Sequence, residues 1–137
     1  MKRHFILSLL TVVWFGGLAA RSAWAEPSAE ALRQTIRDYV ANQEKLQGAF
    51  AIVDERGDGL RRLELVRVHE RVGKTGNYYY SCTDMKDRAT GDELDLDFDI
   101  EDQAGNLKVA DVRIHKDNGK PRYTYDENDN MIPLPAE

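Results

Sequence analysis

Between residues 93 and 101 the sequence reads ELDLDFDIE, with carboxylates at every odd position and apolar side chains at every even position. Because side chains of a β-strand point alternately to opposite faces, this pattern predicts a strand with one acidic and one apolar face. The apolar face must pack on a core, and the acidic face is expected to be solvated. A cation site on Asp95, Asp97 and Asp99 is the weaker alternative, because same-face neighbours stand about 6.5–7 Å apart along a straight strand.

The segments around this strand predict one helix followed by a series of strands. Ser28 is suited to cap a helix and Gly48 to end it. Between them, apolar residues recur at helical spacing: Leu32, Ile36, Tyr39, Val40 and Leu46. After Gly48 the period changes to two, and turn sequences separate strands at about residues 49–54, 60–72, 78–86, 93–101 and 107–116, with a short last strand in RYTYD. The sequence therefore predicts an α+β fold, in which one N-terminal helix packs on a curled antiparallel β-meander of about five to six strands.

Side-chain faces also predict details of strand pairing. The alternation of the second strand changes phase near residue 65, which indicates a β-bulge. Matching apolar side chains of the fourth and fifth strands places Leu96 opposite Val112 and Asp95 opposite Arg113. The same register places Glu93 opposite His115.

The third strand carries the one cysteine of the chain, Cys82. We expect Cys82 to face the helix, since free cysteine is among the most buried residue types. Polar and apolar residues do not alternate regularly in this strand, however. The alternative is that the opposite face is buried, with Tyr79 and Met85 toward the helix. If Cys82 faces outward, it shares a face with His69, and a Cys82–His69 catalytic dyad becomes the hypothesis to consider. We expect neither a catalytic constellation nor a cofactor.

In element order, residues 28–126 resemble the cystatin-like architecture shared by cystatins, PepSY-type domains and the nuclear-transport-factor-two-like group. The glutamine, valine and glycine inhibitor loop of cystatins has no counterpart, because the first hairpin reads DERGDG. The resemblance therefore does not imply protease inhibition. The nuclear-transport-factor-two-like members imply an alternative function, a small enzyme with an acid/base pocket between helix and sheet, for which Asp84 is the candidate carboxylate.

The first 25 residues have the pattern of a secretory signal peptide. Two basic residues precede an apolar run over residues 5–20, which is followed by an A-x-A pattern ending at Ala25. The sequence predicts cleavage between Ala25 and Glu26, which leaves residues 26–137 as a single periplasmic or secreted domain. The polar and then proline-rich tail from about residue 127 is expected to fray.

Removal of this segment makes the chain more acidic, from a net formal charge of −5 to −8. Such a charge disfavours partners that present phosphates, namely nucleic acid and an anionic membrane surface. We therefore expect a small exported, non-catalytic binding or accessory module for a protein, a peptide or a small ligand. A module that pairs through a sheet edge, including as a homodimer, is a further alternative.

Both tryptophans, Trp14 and Trp24, precede the expected cleavage site. We predict that protein recovered from the exported fraction begins at Glu26 and shows no tryptophan fluorescence. Intact mass and a fluorescence spectrum check this, and a chain that retains residues 1–25 would contradict it.

Overall fold

The computed structural model describes residues 25–57, 59–128 and 130–136. It shows one helix packed on a six-stranded antiparallel sheet of order β1-β2-β3-β4-β5-β6, with β7 and β8 forming a separate hairpin. The elements are α1 (Ala29–Gln47), β1 (Phe50–Asp54), β2 (Gly59–Thr75), β3 (Tyr78–Asp87), β4 (Glu93–Gln103), β5 (Asn106–Asp117), β6 (Lys120–Pro121), β7 (Tyr123–Tyr125) and β8 (Met131–Pro133). The predicted α+β fold is confirmed.

The predicted signal peptide covers residues 1–25, of which residues 1–24 lie outside the described residues. Within the described ranges, no helix has both the length and the apolar character that crossing a membrane requires.

The helix begins and ends where the sequence predicts. Ser28 Oγ accepts a hydrogen bond from the backbone N–H of Ala31 at 3.1 Å. Gly48 takes a left-handed φ of 78°, and its N–H donates to the carbonyl of Glu44 at 2.8 Å. Leu46, which we had included in the apolar stripe, is exposed. At 3.6 residues per turn it lies about 80° around the helix from Ile36, at the border of the buried face.

The core lies between α1 and the inner face of the sheet. Because α1 contacts β1, β2, β3 and β5, the sheet curls around it, and residues of β1 and β5 line a common groove. Phe98 of β4 occupies the centre, with its ring 5.8 Å from that of Phe50 and 6.3 Å from that of Tyr39. The fully buried apolar side chains include Leu32, Ile36, Val40, Leu63, Met85, Leu94, Leu96, Phe98 and Ile100.

The predicted pairing of β4 with β5 has the right faces for β4 but the wrong register. Leu96 lies opposite Ile114 and Phe98 opposite Val112, two residues from the predicted pairing. This even offset, which holds between two register shifts, keeps the side chains there on their predicted faces. Beyond the shifts the offset is odd, so Asp95 lies opposite Lys116 instead of Arg113. The difference arises because two register shifts interrupt the ladder after a tight turn at Ala104 and Gly105.

The bulge expected in β2 is confirmed, with a register shift between Leu65 and Arg67. A second, larger shift lies between Val68 and Val72, and the sequence analysis missed it. Ser81 of β3 supports this second bulge, since its buried hydroxyl donates to the carbonyl of Arg71 at 2.9 Å.

The two faces of β3 are exchanged relative to the prediction that Cys82 faces the helix. Ser81, Thr83 and Met85 lie opposite the core residues of β4, which places Cys82 and Asp84 on the outer face. The prediction of an inward Cys82 is wrong, and the alternative set with Met85 is confirmed. Ser81 and Thr83 are small polar residues that face the core. Because core positions are normally recognised by apolar side chains, these two residues hide the period-two pattern of β3.

The tail expected to fray from about residue 127 is instead folded. Strand β8 pairs with β7, and the N–H of Leu134 donates to the carbonyl of Arg122 at 2.9 Å. Asp126 holds the turn, accepting from the backbone N–H groups of Asn128 and Asn130 at 2.8 and 2.9 Å. The hairpin lies on the outer face of the sheet.

A buried ionic network ties the segment before this hairpin to the first strand. Arg122 donates two hydrogen bonds to Asp54, at 2.6 and 2.9 Å, and Asp54 is fully buried. Arg61, also buried, lies 2.6 Å from Asp87 and 3.5 Å from Asp54. The hydrogen bond from Arg122 lowers the pKa of Asp54 below its ordinary 3.8, although burial opposes this.

We predict that Asp54→Asn lowers the free energy of unfolding at pH 7 by about 3 kcal/mol, because it leaves two buried guanidinium groups short of a partner. Since the folded-state pKa of Asp54 is depressed, its contribution is present at neutral pH and is lost as pH falls through that folded-state pKa. The difference between variant and wild type should therefore shrink below about pH 4.

Urea unfolding at several pH values measures this difference. The matched control is Glu55→Gln at the exposed neighbouring position, which should change stability by less than about 0.5 kcal/mol. A difference for Asp54→Asn that stays constant from pH 7 to pH 3 (roughly one unit below the ordinary carboxyl pKa) would contradict the assignment.

Candidate metal centre

The outer face of β4 carries a carboxylate that is enclosed by protein. Asp97 is 0% exposed. The hairpin of β7 and β8 covers it, and the hydroxyls of Tyr123 and Tyr125 each donate to Asp97 Oδ2 at 2.7 Å. The prediction that the acidic stripe is a solvated face is therefore wrong at its centre, because a hairpin distant in sequence packs over the strand.

Cys82 and His115 complete the surroundings of this carboxylate. Cys82 lies directly opposite Asp97 in the β3–β4 pair, and its Sγ donates to Asp97 Oδ1 at 2.6 Å. His115 Nδ1 lies 3.8 Å from Asp97 Oδ2, and the imidazole stacks on Tyr123 with ring centroids 4.6 Å apart. Asp97 thus receives its hydrogen bonds from a thiol and two phenols.

Two cations of β5 near this cluster, Arg113 and Lys116, are engaged by other carboxylates. Arg113 donates to both oxygens of Asp99, at 2.6 and 2.9 Å. Lys116 Nζ lies 3.4 Å from Asp95 Oδ2. Asp99, one of the three acidic candidates from the sequence, is therefore part of an ion pair and lies outside the cluster around Asp97.

Four side chains from three neighbouring strands bring metal-ligating atoms together. One donor atom from each of Cys82, Asp95, Asp97 and His115 lies within 4.8 Å of the others. Two buried atoms in this set, Asp95 Oδ1 and His115 Nδ1, have no hydrogen-bond partner in the described structure. We call these four residues the inner group.

A β-bulge brings His115 into the inner group. The register of β4 with β5 shifts between Asp95 and Leu96, where β5 carries His115 as an extra residue. Bulges commonly re-aim a side chain in this way. The sequence analysis placed His115 opposite Glu93, and the bulge instead leaves it beside Asp97.

A second group of donors shares Asp95 with the first and lies nearer the surface. Donor atoms of His69, Asp84 and Asp95 also lie within 4.8 Å of one another. His69 Nε2 is 2.6 Å from Asp84 Oδ1, and Arg67 donates to Asp84 Oδ2 at 2.8 Å. All three donors line a cleft of about 520 Å³. We call His69, Asp84 and Asp95 the outer group.

The catalytic candidates from the sequence take other roles. Cys82 and His69 do share the outer face, but His69 pairs with Asp84, and Cys82 pairs with Asp97. Asp84 faces away from the helix, whereas the enzyme alternative requires it in a pocket between helix and sheet. Burial raises the pKa of Asp84, but hydrogen bonds from His69 and Arg67 outweigh it and leave the pKa below its ordinary value.

Burial keeps the protic groups around Asp97 protonated. It raises the pKa of the Cys82 thiol, and the hydrogen bond to Asp97 raises that pKa further. The same two causes, in the same order, raise the pKa values of Tyr123 and Tyr125. At neutral pH all three are therefore hydrogen-bond donors to the carboxylate.

Aromatic packing holds the covering hairpin in place. Tyr80 stacks on Tyr125 with ring centroids 5.6 Å apart, and Gly73 lies opposite Tyr80 in the β2–β3 pair. A Cβ atom at Gly73 would overlap the Tyr80 ring. The absence of a side chain at this position therefore makes room for the stack.

The sequence analysis missed three members of this site: His115, Tyr123 and Tyr125. The signal for the tyrosines was present, since the alternation of YTY places both on one side of a strand. Buried tyrosine hydroxyls need a partner, and an acidic stripe supplies acceptors.

Comparison of the chain with protein-family models, with curated proteins and with solved structures finds no match.

We predict that Gly73→Ala destabilises the protein by about 1–3 kcal/mol, because the added methyl displaces the Tyr80 ring from its stack on Tyr125. Chemical denaturation measures this in the presence of a chelator. In a Tyr80→Ala background the same substitution should cost much less, since the ring is absent. Equal costs in the two backgrounds would show that the methyl group acts elsewhere.

Proposed function

We propose that this protein is a small exported binding module whose ligand is a divalent transition-metal ion, held by the inner group. The observation that carries the proposal is the fully buried Asp97 beside two unpartnered buried ligand atoms, Asp95 Oδ1 and His115 Nδ1. Burying an ionised carboxylate is costly unless the charge is paired or coordinates a metal. A cation among these donors compensates the charge and supplies both unpartnered atoms with a partner.

The mixture of donors selects the class of ion. Thiolate, imidazole and carboxylate together suit Zn²⁺, whereas Ca²⁺ and Mg²⁺ take oxygen ligands. Zinc ligands lie about 2.0–2.3 Å from the ion, so in a tetrahedral site they stand about 3.3–3.7 Å apart. Donor atoms that already lie within 4.8 Å of one another need modest side-chain rotations to reach that geometry. On binding, Cys82 loses its thiol proton to solvent and the sulfur bonds the ion.

The two other functions expected from the sequence have less support. The small-enzyme alternative places a carboxylate between helix and sheet, where Asp84 does not lie. Pairing through a sheet edge stays a prediction.

We predict that chelator-treated protein binds one Zn²⁺, and that Co²⁺ in its place gives a sulfur-to-metal charge-transfer band in the near ultraviolet. Because that band requires a bond to sulfur, Cys82→Ala should abolish it. Asp97→Asn should weaken Zn²⁺ binding at least tenfold, since it removes a charged ligand from the centre of the site. Competition with a chromophoric chelator measures the affinity, and absorption spectroscopy measures the band.

The matched control is Asp99→Asn, the same substitution two residues along the same face. It should leave Zn²⁺ affinity within twofold, because Asp99 binds Arg113 and not the ion. Thermal unfolding of each variant verifies that it is folded. Absence of Zn²⁺ binding by the folded wild type, or equal losses for Asp97→Asn and Asp99→Asn, would rule out the proposed site.

A further inference from the structure

We propose that the outer group is the path by which the ion reaches and leaves the inner group, with Asp95 passing it from one to the other. This inference rests on the proposed metal-binding function. Its basis is that Asp95 belongs to both groups, and that the outer group lines the cleft.

Side-chain exposure falls along this path. His69 is 30% exposed and Asp84 34%, while Asp95 is 12% and Asp97 0% exposed. The hairpin covers Asp97 from above, through the hydroxyls of Tyr123 and Tyr125. An ion arriving from solvent through the cleft therefore meets the donors of the outer group before those of the inner group.

Neighbouring charges lower the affinity of the outer group for a metal ion below that of the inner group. Arg67 lies 2.8 Å from Asp84, so the carboxylate that belongs to the outer group alone already faces a cation. Among the described residues, Asp97 accepts hydrogen bonds from uncharged donors only, and the inner group also contains Cys82, whose sulfur is a soft ligand. An ion held loosely outside thus gains binding energy by moving inward.

The backbone positions His69 for this role. The bulge between Val68 and Val72 places His69, Glu70 and Arg71 opposite Cys82. The hydroxyl of Ser81 bonds the carbonyls of His69 and Arg71, at 3.3 and 2.9 Å. The hydrogen bonds from Ser81 fix the bulge, which holds the imidazole of His69 in the lining of the cleft, next to Asp84.

A path is distinguished from a binding site by its effect on rates. Removing a group that the ion passes slows entrance and exit by the same factor and leaves the equilibrium affinity unchanged. Removing a ligand of the final site changes the affinity. The two variants to test are His69→Ala and Asp84→Asn, which alter the outer group and leave all four inner ligands in place.

We expect each variant to slow both Zn²⁺ association and chelator-driven Zn²⁺ release at least fivefold, with Kd within twofold of wild type. Stopped-flow mixing with a fluorescent zinc indicator measures both rates on the full exported chain. The matched control is Glu70→Gln, since this side chain lies on the same bulge but is 96% exposed, and its rates should match those of wild type. Circular dichroism verifies the fold of each variant.

Unchanged rates in both folded variants, with Zn²⁺ bound normally, would overturn the path and leave the inner site standing. Two Zn²⁺ ions bound per chain with matched affinity would also overturn it, because the outer group would then be a site of its own. If the wild type binds no Zn²⁺ at all, both the function and the path fail.

Discussion

The enclosure of the Asp97 carboxylate is the interaction on which this architecture depends. The strand that carries Asp97 presents Leu96 and Phe98 to the helix on one face, and on the other it presents a charge. A sheet with one apolar face needs cover on that face alone, but here the charged face is covered as well, by a hairpin anchored through two phenol hydroxyls. The result is a three-layer arrangement of helix, sheet and hairpin, with the fully buried Asp97 in the second interface.

The features that the sequence predicted correctly are those set by local chemistry. Ser28 and Gly48 bound the helix because capping depends on a single side chain or a single left-handed residue. The alternation of residues 93–101 determines which side chains of β4 face the helix. The register error between β4 and β5 left the faces of β4 unchanged, because the pairing of Leu96 and Phe98 is displaced by two residues. The likeness to cystatin-like folds stays a prediction.

The features that the sequence did not predict all involve irregular or long-range structure. Cys82 was assigned to the wrong face because Ser81 and Thr83, both polar, take the core side of β3. The inner group escaped prediction because an extra residue in β5 moves His115 and because the covering tyrosines lie beyond all four ligands in the chain. A period-two analysis treats each strand as straight, whereas both histidines after residue 25 lie at bulges.

The covering hairpin also has a consequence for redox chemistry. The species that oxidants attack is the thiolate, and burial together with Asp97 keeps Cys82 in its thiol form. A chain with one cysteine can form a disulfide only with another molecule. The thiol of Cys82 donates a hydrogen bond to Asp97, which two tyrosines cover, so this sulfur is poorly placed to react with another molecule. The same enclosure that surrounds Asp97 therefore also protects the sulfur of Cys82 from oxidation.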